Sequence, residues 1–177
     1  GAGWALGLDW AFIRAGLASF ICDATTAPGR FNLFEYRGAT LIADYGHNPA
    51  AIRALVNAID AMPEKSGKRR SVVISGAGDR RDEDIRVQTA ILGAAFDDVI
   101  LYQDAAQRGR EDGEVMALLR QGLENASRTT HSEEVRGEFA AIDTALARVQ
   151  PDDLCLVLVD QVEEALAYLA QRCASEA

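Results

Sequence analysis

Asp44-Tyr45-Gly46-His47-Asn48-Pro49 joins two segments of different periodicity. Thr40, Leu41, Ile42 and Ala43 form a short apolar run before it, and Ile52, Leu55, Val56 and Ile59 recur at helical spacing after it. A strand therefore hands over to a helix. Asn48 is a favoured N-cap, and Pro49 suits the first helical position, where a missing N–H and a fixed φ cost nothing. Open α/β sheets bind ligands beyond the carboxyl ends of their strands, so a carboxylate, an imidazole and a helix N-terminus gather where a ligand would sit. Two readings stand at this point. Either Asn48-Pro49 only caps the helix and Asp44 is a solvated strand-end residue, or Asp44 and His47 belong to a site.

Outward from this junction, strands and helices alternate. Upstream, Phe31 to Tyr36 and Ala39 to Asp44 flank Arg37-Gly38, which suits a two-residue hairpin turn. Downstream, a helix over 49 to 61 is closed by Pro63 and a charged linker, Glu64 to Arg70. Ser71 to Ser75 reads as a strand covered on both faces, and a helix from about Asp82 to Phe96 follows it. Val99 to Tyr102 is a further buried strand. The polar loop Gln103 to Asp112 comes next, then a helix with Val115, Leu118 and Leu119 inward, and a weak strand near Arg128 to His131. Phe139, Ile142, Leu146 and Val149 mark one more helix, Leu154 to Val159 the most apolar strand, and Val162, Leu166 and Leu169 the closing helix. The pattern predicts an α/β fold: a Rossmann-like three-layer sandwich with a mostly parallel sheet of about six strands, opened by an antiparallel hairpin.

Residues 1 to about 20 read as one helix, ending at Phe20. Turn formers from Asp23 to Gly29 follow, so residues 1–27 are expected to be the tail of a preceding domain and residues 28–177 the compact unit. Asp9 and Arg14 interrupt the apolar N-terminal stretch well short of the ~20 residues a membrane span needs, and no basic region precedes it as in a signal peptide. A net charge of −9 argues against nucleic acid as the main partner, although a local basic patch stays open. Cys22, Cys155 and Cys173 are widely spaced, and Cys155 lies within an apolar run as a reduced core residue would. A cytoplasmic protein without membrane or nucleic-acid partners is the expectation.

Gly76-Ala77-Gly78-Asp79-Arg80-Arg81 follows a strand and precedes a helix, but position 81 is Arg where a dinucleotide fingerprint has its third glycine. Its glycines allow a tight turn at the ligand crevice with Asp79, Arg80 and Arg81 as a charged rim; equally, the charges decorate a solvated first turn. Arg108-Gly109-Arg110 lies on the loop after the next strand, at the same sheet edge, as an anion clamp or as surface charge. Asp44 and His47 lack further ligands for a metal site, no G-x-S-x-G elbow occurs, and no P-loop occurs.

Together, Pro28-Gly29-Arg30-Phe31-Asn32, Asp44 to Pro49, Gly78-Asp79-Arg80-Arg81-Asp82-Glu83-Asp84 and Arg108-Gly109-Arg110 resemble, in order, the C-terminal domain of the Mur ligase family. The resemblance implies part of an ATP-dependent amide-forming ligase. A central ATPase domain of the same polypeptide holds Mg-ATP, a substrate carboxylate becomes an acyl phosphate, and an incoming amino acid attacks it. By the same resemblance, Arg30, Asp44, His47 and Asn48 serve the nucleotide, and Asp79, Arg80, Arg108 and Arg110 face the incoming amino acid. Arginine is the suspected amino acid and would need acidic partners such as Asp79, Asp104 or Asp112. Arginine-adding relatives carry acidic residues before R-G-R, whereas this chain has Asp104-Ala105-Ala106-Gln107, which leaves the amino acid open. A stand-alone dinucleotide-binding or interaction domain is the alternative.

Overall fold

A computed structural model describes residues 2–19, 23–62, 68–103 and 108–175. The N-terminal segment differs from the expected single helix. It forms α1 (Ala2–Ala5) and α2 (Trp10–Ser19), separated at Gly7, whose φ of 79° a helix cannot contain. Asp9 then starts α2 by accepting the Ala11 N–H at 2.7 Å. The expected end at Phe20, like Cys22, falls outside the described residues. No residue of α1 or α2 is buried, and Trp4, Leu6, Trp10, Phe12 and Leu17 face outward.

Beyond the Asp23–Thr26 turn, β1 (Asn32–Tyr36) and β2 (Ala39–Asp44) form the antiparallel hairpin. Arg37 and Gly38 have φ of 50° and 79°, the left-handed pair that a tight hairpin between right-twisted strands requires. The other elements are α3 (Pro49–Asp60), β3 (Arg70–Ile74), α4 (Asp82–Ala95), β4 (Asp98–Gln103), α5 (Glu114–Leu123), β5 (His131–Arg136), α6 (Glu138–Leu146), β6 (Leu154–Leu158) and α7 (Val162–Ala174). The described strands form one sheet in the order β1-β2-β6-β3-β4-β5, parallel except for the first pair.

The alternation of side chains along each strand divides the core in two. Ile42, Val72, Ile74, Val99, Leu101 and Leu156 pack against α3, α4 and α5. Leu41, Val73, Ile100, Tyr102, Cys155 and Val157 pack against α6 and α7 on the opposite face. The result is the expected three-layer sandwich.

Two boundaries shift from the sequence reading. Arg70, assigned to the charged linker, is the first residue of β3 and is buried, its backbone N–H bonded to Asp97 Oδ2 at 2.8 Å. Pro63 lies outside the described residues. The weak strand expected near 128–131 begins only at His131, because the Thr129 and Thr130 hydroxyls bond the carbonyls of Phe96 and Asp97 and pin the approach to the sheet. As an edge strand, β5 is covered on one face alone, so its composition is polar.

The topology fixes where a ligand belongs. The chain leaves β3 through α4 on one face and β6 through α7 on the other, and these strands are adjacent. Their carboxyl ends mark the switch point of the sheet, where open α/β folds form their crevice.

Candidate functional site

The carboxyl edge is level: Asp44 pairs with Leu158, Val73 with Val157, and Ile74 with Leu101. The loops after β2, β3, β4 and β6 therefore meet on one rim. Arg30, Asp44, His47, Asn48, Asp79, Arg80, Arg108 and Arg110 all lie on those loops or on the loop packed beside β2.

Asp44 is buried, not a solvated strand-end residue, and its carboxylate accepts two backbone N–H groups, Phe31 to Oδ2 at 2.8 Å and Gly46 to Oδ1 at 2.7 Å. Asn32, also buried, accepts the Gly29 N–H at 2.7 Å and donates to the Ala27 carbonyl at 3.0 Å. These bonds hold both neighbours of Arg30, one of them Phe31 at a φ of 50°. Arg30 thus stands at the apex of a loop fixed on each side, its guanidinium 5.7 Å from the Tyr45 ring centroid. Arg30, Asp44, Tyr45, His47 and Asn48 line one cleft of about 400 Å³, backed by Ala51, Ala54 and Leu55 of α3.

Asn48 caps α3 as its sequence position predicts, accepting the Ala51 N–H at 2.9 Å. His47 is held from three sides. Arg80 meets its Nε2 at 2.9 Å, Tyr45 O lies 2.7 Å from its Nδ1, and Gln88 donates to its carbonyl at 3.2 Å. A guanidinium can only donate, so Nε2 is the acceptor and Nδ1 carries the hydrogen that Tyr45 O receives. His47 thereby ties the β2–α3 loop to the β3–α4 loop.

Arg108 and Arg110 divide the rim differently. Arg110 donates from Nε to Gly78 O at 2.7 Å, from Nη2 to Arg80 O at 2.6 Å, and from Nη1 to Glu114 at 2.6 Å and Asp82 at 2.9 Å. All three guanidinium nitrogens are engaged within the chain, so Arg110 fixes the Gly76–Arg80 turn. Arg108 lies between two carboxylates at longer range, Asp160 at 3.4 Å and Asp79 at 3.6 Å. Burial lowers its pKa, but Asp160, Asp79 and Tyr45 outweigh that effect and raise it. Arg81 is turned away into a bidentate bond with Asp84 at 2.8 and 2.9 Å. Asp104 lies outside the described residues, and Asp112 pairs with Arg136 on the surface at 3.1 Å.

The sequence reading missed three residues that shape this edge. Asp160 lies two residues past the end of β6, so the strand-end rule that singled out Asp44 applies to it as well. Glu138, buried, accepts the N–H groups of Asp160 and Gln161 at 2.8 and 3.1 Å and holds the turn into α7. Gln88 is fully buried on α4, where helical periodicity alone marks it only as a polar interruption. No group of three or more His, Cys, Asp or Glu residues able to hold a metal occurs among the described residues.

This fold is that of the C-terminal domain of Mur ligases, and the chain belongs to the Mur ligase family: the family model described as "Mur ligase, glutamate ligase domain" matches residues 29–159. Within the family the chain is similar to cyanophycin synthetase. It is 34% identical over 156 residues to the cyanophycin synthetase of Geminocystis herdmanii, a match covering 88% of this chain and 17% of that protein. The chain thus spans about a sixth of the length of that curated relative. Two solved structures share the fold. FolC from E. coli in complex with ADP has a TM-score of 0.64 at 26% identity, over 93% of this chain and 34% of that one. UDP-N-acetylmuramoyl-L-alanyl-D-glutamate–2,6-diaminopimelate ligase has a TM-score of 0.67 at 20% identity, over 93% of this chain and 37% of that one.

Proposed function

We propose that residues 28–177 form the C-terminal domain of a cyanophycin-synthetase-like ligase that makes an amide bond at the expense of ATP. In this reading residues 1–27 are the end of the preceding central domain, and the outward-facing Trp4, Trp10, Phe12 and Leu17 pack against it. The single observation that carries the proposal is the fixed presentation of Arg30 beside Asp44, His47 and Tyr45 in one cleft, in a chain of this family.

The residues fit a nucleotide facing them from a neighbouring domain. Arg30 offers a guanidinium to phosphate oxygens, the Tyr45 face and the apolar flank of α3 offer a surface to the ribose or base, and each Asp44 oxygen keeps a lone pair for a hydroxyl. Phosphoryl transfer depends chiefly on positioning and on stabilising spread negative charge, so closure of a lid carrying one arginine supplies what an open site lacks. The magnesium that accompanies ATP belongs, in this reading, to the preceding domain.

Arg80, Arg108, Asp79 and Asp160 face the incoming amino acid. Asp79 and Asp160 already accommodate a guanidinium, that of Arg108, at bond lengths longer than a good charge-assisted hydrogen bond. This supports arginine as the amino acid: its side chain would take the place between these carboxylates, freeing Arg108 for an anionic group.

The test is Arg30→Ala in the complete ligase. The variant should fold normally and lose ATP-dependent amide formation by about a hundredfold or more, with the amino-acid KM little changed. Turnover within about twofold of the parent would overturn the role given to Arg30.

A further inference from the structure

A second cleft lies away from the strand-end rim. It is an open groove of about 690 Å³ between the second half of α3 and the body of α4, reaching Arg70 at the start of β3. That is the amino edge of the sheet, opposite the site described above. Val56 on α3 and Val87, Ala90, Ile91 and Ala94 on α4 give it apolar walls, and Arg53, Arg70 and Arg128 line it as well.

The charges there do not cancel. Arg70 is paired with Asp60 at 2.5 Å, and Arg128 is paired through two nitrogens with Asp97 at 2.9 and 3.0 Å. Arg53 forms no ion pair among the described residues, which leaves one positive charge in a chain whose net charge is −9. The Arg70 side chain is only 6% exposed, yet its Nε has no acceptor. A buried guanidinium donor without a partner is costly, and the Arg70 side chain lines the groove. The volume falls within the range of small-molecule sites, and a planar carboxylate is the anion that a guanidinium matches best.

We propose that this groove is a second ligand site, which binds a small organic monocarboxylate with its charge toward Arg53 and Arg70 and its apolar body against Val56, Val87 and Ile91. One surplus positive charge calls for a monoanion, and walls of valine, alanine and isoleucine call for an apolar body. The site does not rest on the ligase reading.

The test is titration of 4-phenylbutyrate into the 15N-labelled 177-residue chain, followed by amide shifts, with 4-phenylbutanol as the uncharged control. Saturable shifts are expected at residues 53–60 and 87–95, with none for the alcohol. Arg53→Glu, an exposed helix position that leaves the core intact, should weaken binding about tenfold or more. Val87→Asp on the facing wall should do the same independently. Absent saturation, shifts confined to the strand-end rim, equal binding of the alcohol, or unchanged affinity in both folded variants would each overturn the proposal.

Discussion

Replacing Asp44 by asparagine exchanges one carboxylate oxygen for an NH2 group at a position that is 8% exposed. The carboxylate accepts the Phe31 N–H at 2.8 Å and the Gly46 N–H at 2.7 Å, and asparagine can accept only one of them. The other backbone donor then faces a second donor. One charge-assisted hydrogen bond is lost and one largely buried N–H is left unsatisfied, a combined cost of about 2–4 kcal/mol. At roughly 2–4 °C per kcal/mol for a chain of this size, the midpoint of thermal unfolding should fall by about 4–16 °C. Urea unfolding followed by circular dichroism measures the free energy, and hydrogen exchange locates it: the Phe31 and Gly46 amides should lose protection ahead of the core of β3. A variant within about 0.5 kcal/mol of the parent, with both amides still protected, would refute the argument that Asp44 anchors the loop presenting Arg30.

Gly122→Ala should destabilise by about 3 kcal/mol or more in the same unfolding assay, because a Cβ there would collide with Thr89 Oγ1 and with the Arg86 carbonyl oxygen, which is backbone and cannot turn aside. Burial raises the pKa of Asp97, but its bonds to Arg128 and to the Arg70 N–H together win and leave it lowered. A group whose folded pKa lies below its unfolded value, about 3.9, stabilises above that value and loses the contribution as pH falls through the folded one. Asp97→Asn should therefore be less stable at neutral pH and show a flatter stability profile below about pH 4. The Cys155 thiol, pushed up to about 12 by burial, should resist a thiol reagent in the native protein and react once denatured, as read by mass spectrometry of the Cys155 peptide.

Most of the fold is legible from local pattern. The Arg37-Gly38 turn, the cap by Asn48 and the apolar strands each depend on residues adjacent in sequence, and the structure has them where the sequence places them. The break at Gly7 was missed because Ala and Trp around it favour a helix, whereas a single left-handed residue ends one. β5 was misplaced because its pairing with β4, not its own composition, decides its register. At the rim, the sequence points to Asp44 and His47 but not to what holds them. The bonds from Arg80 and Gln88 to His47 cross 33 and 41 residues of chain, and no spacing rule encodes them. The Arg110 clamp on the Gly76–Arg80 turn is likewise a product of tertiary packing.

The central claim is that this chain supplies half of a ligase active site, the other half coming from a nucleotide-holding domain. The direct measurement is ADP release and amide formation by the 177-residue chain alone, and by the same chain joined to the central domain of a cyanophycin synthetase, with ATP, arginine and an aspartate-bearing acceptor peptide. The account predicts no turnover for the chain alone and turnover for the joined protein that Arg30→Ala abolishes. ATP-dependent ligation by the isolated chain, or a joined enzyme indifferent to Arg30, would contradict it.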